Sequence, residues 1–308
     1  MWTSLSDSIP ADVARDIETA ARAAVRGGQA AMSHYGSDDL AIADKGVNDP
    51  VTEADHAANR AILEVLSERE PGDPILSEES PRPDESLFAG SGPARLWIVD
   101  PLDGTKEFIA QNGEFSVMVG LAEFGRAVVG AVFQPDPGTL YVGWTAGGAW
   151  SVPIELNGEE VFIGDPSPLL LGPEPAGAIR LIRSRSHSDP LLEELEDRLS
   201  SSETALCGSV GVKCARIAAD QADAYVHPVA FLKEWDTCAP EAVLRGAGGQ
   251  VTDCGGGSLS YGKSDPRQPG GILAARSGTW RSLRPLVQEI AAPILGPEFR
   301  TRDWGAVS

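Results

Sequence analysis

Positive charge is scarce in this chain: 25 lysines and arginines stand against 45 aspartates and glutamates, a formal net charge of −20 at pH 7. A surface that acidic is repelled by nucleic-acid backbones and anionic membrane faces, so neither is an expected partner. A phosphate substrate remains open to it, but only with local help from cations or backbone amides. Cysteine is scarce too. Cys207, Cys214, Cys238 and Cys254 form no C-x-x-C pair, and the four histidines do not cluster near them, so no structural zinc site is expected. Disulfides are not indicated, and a reduced, cytoplasmic compartment fits better. No apolar run approaches the length that spans a bilayer. The segment MWTSLSDSIPADVARD has no basic stretch followed by an apolar one, so no secretory signal is expected. Internal repeats and low-complexity tracts are lacking as well.

What is present is enough apolar residue for a sizeable core, 42% of 308, in one large domain or two joined lobes. Spacing predicts a helix over 10–35, a loop over 40–50, and a second helix from Thr52, where Thr52-Glu53-Ala54-Asp55 makes a capping-box pattern. Strands are expected at 75–76 and 96–99, then hairpins over 115–134 and 139–152. The Pro- and Gly-rich stretch 164–175 reads as a boundary. Beyond it, strands are expected at 179–182, 224–226, 250–252 and 272–274. Helices are expected at 190–199, 210–220, 237–245 and 280–292, with Asp189 and Asp236 as caps. This divides the chain into a lobe over 1–170, a lobe over 171–296 and a tail over 297–308. The pattern is mixed α and β, without the regular alternation of a barrel.

The most informative stretch is Trp97-Ile98-Val99-Asp100-Pro101-Leu102-Asp103-Gly104-Thr105-Lys106-Glu107-Phe108. An apolar strand delivers Asp100 at its end, Pro101 bends the chain, and Asp103 returns a second carboxylate to the same volume. Gly104 lets backbone approach a ligand closely. Two such aspartates repel one another and are best reconciled by a divalent cation, for which oxygen donors favour a hard ion such as Mg²⁺. D-P and D-G pairs are also ordinary turn chemistry. Three further segments carry acids: Asn48-Asp49-Pro50-Val51-Thr52-Glu53-Ala54-Asp55, Ser77-Glu78-Glu79-Ser80 and Glu234-Trp235-Asp236-Thr237. Capping accounts well for Thr52 and Asp55. Asp49, lying before the cap, is harder to explain that way.

In this order and spacing, D-P-V-T-x-A-D, S-E-E-S, W-I-V-D-P-L-D-G-T and W-D resemble the inositol monophosphatase-like family of metal-dependent phosphatases, over nearly the whole chain to about residue 290. The resemblance implies an α+β fold, a layered αβαβα sandwich of the inositol monophosphatase and fructose-bisphosphatase type. It implies metal ligation by Glu78, Asp100, the carbonyl of Leu102, Asp103 and Asp236, with two or three Mg²⁺ per site. It places Asp49 and Thr105 beside the attacking water, Thr105 donating to Asp49. Two Mg²⁺ about 3.5–4 Å apart can activate water on one side and stabilise the leaving oxygen on the other.

D-P-L-D-G-T-K-E-F, W-D-T-C-A-P-E, R-S-H-S and G-S-V-G-V-K are similar to the 3′(2′),5′-bisphosphate nucleotidase branch of that family. The implied reaction removes the 3′-phosphate of adenosine 3′,5′-bisphosphate, with its sulfated analogue as a further candidate substrate. Substrate contacts are then expected from Gly104, Thr105, His187, Ser188, Gly208, Ser209, Lys213 and Asp236. Ser209 sits at an expected helix start and Lys213 one turn later on the same face. Lys213 also reads as a solvated helix lysine, and His187 as a turn residue. Inhibition by Li⁺ is expected by resemblance, and monomer or homodimer are both open. The rival readings are an inositol or sugar monophosphatase with the same metal centre, and a nucleotide or cation sensor without turnover.

Overall fold

The computed structural model describes residues 9–37, 42–46, 49–90, 92–174, 176–185, 190–199, 202–227 and 232–295, of which 42–46, 49, 190, 191, 202, 294 and 295 are described by backbone alone. The expected tail, 297–308, lies outside the described residues, as does Asp189.

Helix α1 spans Ala11–Met32, with Pro10 just before it, where its missing N–H is not needed. Where a loop was expected, Ile42–Gly46 (β1) and Asp49–Thr52 (β2) pair antiparallel. Asp44, Lys45, Asp49 and Pro50 hide the alternation of apolar residues that marks a strand. Helix α2, Glu53–Arg69, begins as expected: Thr52 Oγ1 accepts from Ala54 N at 3.2 Å, and Asp55 Oδ2 accepts from Thr52 N at 2.8 Å.

The large sheet follows. Its strands are β3 (Ile75–Ser77), β4 (Arg95–Asp103), β5 (Ser116–Glu123), β6 (Arg126–Gln134), β7 (Thr139–Trp144), β8 (Gly148–Asn157), β9 (Glu160–Ile163) and β10 (Ser167–Leu169), in the order β10-β8-β7-β6-β5-β4-β3 with β9 also on β8. A short helix α3, Thr105–Ile109, interrupts it. Strand β4 does not stop at Asp100. It runs on to Asp103 through a register shift, and the irregular pairing there accommodates Pro101.

A smaller sheet, in the order β12-β11-β13-β15-β14, is built from β11 (Ile179–Ser184), β12 (Ser202–Cys207), β13 (Ala224–His227), β14 (Gly249–Thr252) and β15 (Ile272–Arg276). Its helices are α4 (Pro190–Arg198), α5 (Val210–Ala218), α6 (Glu234–Gly246) and α7 (Ser277–Leu295). The edge strand β12 was not expected. Glu203, Thr204, Ala205 and Leu206 are all exposed, so no apolar pattern betrays it.

These elements stack in five layers: α1 and α2, the large sheet, α5 and α6, the small sheet, then α4 and α7. The layering explains the continuous apolar runs. Trp97, Val99, Val117 and Val119 face α1 and α2, whereas Leu96, Ile98 and Met118 join the core shared with α5 and α6. A strand buried on both faces loses its alternation. The fold is α+β, as expected.

One row of glycines sets how closely α6 lies on the large sheet. Gly120 pairs with Gly130, and Gly130 with Gly143, across β5, β6 and β7. A Cβ at these positions would stand 2.7 Å from Cys238 Sγ, 2.3 Å from the Ala239 carbonyl oxygen and 2.5 Å from Val243 Cα, respectively. With no side chains in between, the helix backbone rests on the strands, and its first turn, carrying Asp236, comes down beside the end of β4.

Candidate active site

Parallel pairing of β3 with β4 places Ser77 opposite Val99, so the next residues, Glu78 just past the end of β3 and Asp100 within β4, are brought side by side. Glu78 N donates to Val99 O at 3.2 Å. Asp236 lies at the third position of α6, not at its cap as expected; its Oδ2 reaches back to accept from Lys233 N at 2.6 Å. Asp100 is buried, with Oδ1 accepting from Leu102 N at 3.0 Å. Burial, then the charges of Glu78, Asp103 and Asp236, push the Asp100 carboxyl well above the usual range. Burial, then Glu78 and Asp103, do the same to Asp236. Four acids from three segments thus share one electrostatic environment.

That donor set fits a hard divalent cation. It is all carboxylate oxygen, it repels itself, and a positive ion between its members relieves the repulsion. Among the described residues no three acids, histidines or cysteines are gathered closely enough to grip an ion unaided. Part of their capacity is turned inward, as the Asp100, Asp103 and Asp236 hydrogen bonds show. The set therefore suits an ion that keeps waters and shares a substrate phosphate, as Mg²⁺ does.

Gly104, with φ of 94°, makes the turn after β4 in a conformation few other residues adopt. A Cβ there would also sit 3.1 Å from the Glu114 carbonyl oxygen. The turn presents Thr105, whose hydroxyl donates to Asp55 Oδ1 at 3.1 Å and lies 3.3 Å from Leu102 O. The expected partner was Asp49, whose side chain lies outside the described residues. Asp55 is the residue that sequence reasoning missed. Burial, with a further push from the charge of Glu79, raises its pKa against the hydrogen bonds from Thr52 and Thr105.

The start of α5 is occupied by the protein's own acids. Ser209 Oγ donates to Asp103 Oδ2 at 2.5 Å and accepts from Val212 N at 3.0 Å, and Gly211 N donates to the same Asp103 oxygen at 2.9 Å. Gly208 N donates to Glu114 Oε2 at 3.1 Å, and Ser209 N to Glu114 O at 3.1 Å. Lys213 is only 1% exposed, neither solvated nor open to a ligand. Its ammonium donates to Gly208 O at 2.5 Å and lies 4.9 Å from the centre of the Tyr225 ring. Burial lowers its pKa, against the opposing pull of Cys207 and Asp103. The expected anion contacts are thus made internally, Gly208 to Glu114, Ser209 to Asp103 and Lys213 to the Gly208 carbonyl. Single-sequence reading could place these donors but not see that Asp103, Glu114 and a backbone carbonyl fill them. His187 and Ser188 lie outside the described residues.

The four cysteines are buried thiols, Cys207 pushed up to about 11 and Cys214 to about 12, chiefly by burial. Neither is a nucleophile at neutral pH. No helix among the described residues is long and apolar enough to cross a membrane.

The model of the inositol monophosphatase family matches residues 12–292. The chain is 35% identical to the 3′(2′),5′-bisphosphate nucleotidase CysQ of Escherichia coli K12, over 76% of this chain and 89% of that protein. It is 36% identical to the protein of the same name from Salmonella typhimurium LT2, over 80% and 93%. The crystal structure of CysQ from Bacteroides thetaiotaomicron superposes with a TM-score of 0.71 at 31% identity, covering 85% of this chain and 97% of that one. With the match running from the first turn of α1 into α7 and through every acid of the site, the chain belongs to the inositol monophosphatase family.

Proposed function

We propose that this chain is a Mg²⁺-dependent phosphomonoesterase that hydrolyses adenosine 3′,5′-bisphosphate at its 3′ position, giving AMP and phosphate. The observation that carries the reading is the meeting of Glu78, Asp100, Asp103 and Asp236 at the end of β4, next to the Thr105–Asp55 pair. The curated relatives named 3′(2′),5′-bisphosphate nucleotidase support the substrate class.

Glu78, Asp100, Asp103, Asp236 and the Leu102 carbonyl would hold the cations, two or three per site. Bound there, Mg²⁺ supplies Lewis acidity and charge neutralisation at the phosphoryl group. The chain's own residues supply orientation. Thr105 gives its proton to Asp55, which leaves its oxygen lone pairs to accept from a water in the cleft. The raised proton affinity of Asp55 suits it to draw a proton through that hydroxyl. Gly104 keeps the backbone low enough for a phosphoryl oxygen to approach. No Ser or Cys nucleophile is required. The same reading makes the protein a cytoplasmic, Li⁺-sensitive enzyme, active as monomer or homodimer, with the sulfated analogue as a second substrate and His187 and Ser188 as substrate contacts.

One observation favours the rival reading, an inositol or sugar monophosphatase. Lys213, expected to meet the second phosphate, is buried against backbone carbonyls. The two readings separate on kcat/KM with Mg²⁺ for adenosine 3′,5′-bisphosphate and for inositol 1-phosphate. We expect the nucleotide to be preferred by at least roughly tenfold, about 1.4 kcal/mol in the transition state. Preference for the inositol ester would transfer the assignment to the rival and leave the metal chemistry standing.

A further inference from the structure

Lys233 touches two of the four acids by different means. Its backbone N–H donates to Asp236 Oδ2 at 2.6 Å, and its ammonium lies 3.8 Å from Glu78 Oε1. The ammonium also lies over the Trp235 ring, 5.1 Å from its centre. The surroundings hold it there. Lys233 forms a β-bridge with Arg267, and the next residue, Glu234, is fully buried and accepts from Gly262 N at 2.7 Å and Lys263 N at 3.0 Å. A lysine on a rigid helix entrance, steered by an aromatic face, is a fixed charge rather than a wandering one.

From this geometry we infer that Lys233 is a positioning residue that sets the cation affinity of the acidic cluster. It rests on the metal reading above. The ammonium occupies the Glu78 side of the cluster and offers the carboxylate a monovalent partner. A divalent cation that draws on Glu78 must compete with that contact and lie near a like charge. In the free protein Lys233 therefore holds cation occupancy down. Arrival of a substrate phosphate adds negative charge, offsets the lysine, and favours the full set of cations only when there is an ester to cleave. Loss of phosphate reverses the balance and loosens the ions with the product.

The test is calorimetric titration of the full chain with Mg²⁺ alone, without nucleotide, for wild type, Lys233→Met and Lys233→Arg. Methionine keeps an unbranched stem of similar length and the backbone N–H to Asp236, so the first turn of α6 is preserved. We expect Lys233→Met to bind Mg²⁺ roughly two- to fivefold more tightly than wild type, the range open to one partly exposed charge. Lys233→Arg should stay within about twofold of wild type. The gain should shrink as salt is raised from low to about 0.5 M, since screening weakens a charge effect and leaves a packing effect unchanged. Equal or weaker Mg²⁺ binding by Lys233→Met, beside normal binding by wild type, overturns the inference and spares the site. Absence of any Mg²⁺ uptake by wild type removes the metal reading and this inference together.

Discussion

Thr105 Oγ1 donates to Asp55 Oδ1 at 3.1 Å across fifty residues of sequence, while Oδ2 of the same carboxylate accepts from Thr52 N at 2.8 Å and Thr52 Oγ1 at 2.7 Å. One aspartate thus both starts α2 and aims the hydroxyl beside the acidic cluster. Capping and the catalytic role proposed above are not alternatives at this position; the cap fixes the oxygen to which the threonine donates.

Removing either half of that pair should cost rate far more than stability. Thr105→Val and Asp55→Asn are each expected to lower kcat about 10²- to 10⁴-fold, and the double variant no further than the worse single one, because the two act as a unit. Thr52→Ala should lose about 1 kcal/mol of stability through the cap, with a much smaller change in rate. Steady-state kinetics and denaturant unfolding separate these. Additive losses in the double variant would show that Asp55 and Thr105 act independently.

Asp100 is held among three like charges. Asp100→Asn should nearly abolish turnover yet stabilise the protein in chelator, raising the unfolding midpoint by roughly 1–2 °C, the shift that about 1 kcal/mol brings in a chain this size. Added Mg²⁺ should raise the midpoint of wild type more than that of the variant. A lowered midpoint in chelator would mean that Asp100 is a net stabiliser without an ion.

The glycine row offers a test that alters no acid. Gly130→Ala puts a methyl 2.3 Å from the Ala239 carbonyl oxygen, so α6 must lift. We expect about 1–3 kcal/mol of destabilisation from the overpacking, with a fall in kcat/KM at temperatures where the variant is folded, because Asp236 rises with the helix. Gly72→Ala, where no atom lies within 4 Å, should change neither.

Glu241 provides a pH signature. Burial raises its pKa, against the Tyr261 hydroxyl donating at 2.6 Å and Arg245 at 3.1 Å. A carboxyl whose folded pKa is raised adds stability that is complete below its unfolded pKa of about 4.3 and is lost as pH climbs through the folded value. The stability of wild type relative to Glu241→Gln should therefore fall as pH rises above about 4.5, measured by urea unfolding in chelator. A difference that stays constant, or grows with pH, would mean the ionised form is the better accommodated one.

Much of this was legible beforehand, and the failures have physical causes. D-P-L-D-G-T announces itself because its residue types serve one chemistry, and the parallel register of β3 with β4 then brings Glu78 to Asp100. Asp55 went unassigned because a capping box already accounts for it. Lys213 was placed on the correct helix, but its burial depends on β13 supplying Tyr225, which helical spacing cannot show. The run of β4 past Asp100 was missed because Pro101 normally ends a strand, and only the register shift reconciles them. Lys233 carries no motif; its meaning lies in Glu78, more than 150 positions away.

Anomalous scattering from crystals grown with Mn²⁺ and the non-hydrolysed product AMP plus phosphate addresses the metal centre without relying on rate. Peaks lying between Glu78, Asp100, Asp103 and Asp236, and lost in Asp100→Asn, are the expected result. Peaks bound elsewhere on the acidic surface, with that cluster bare, would contradict the account.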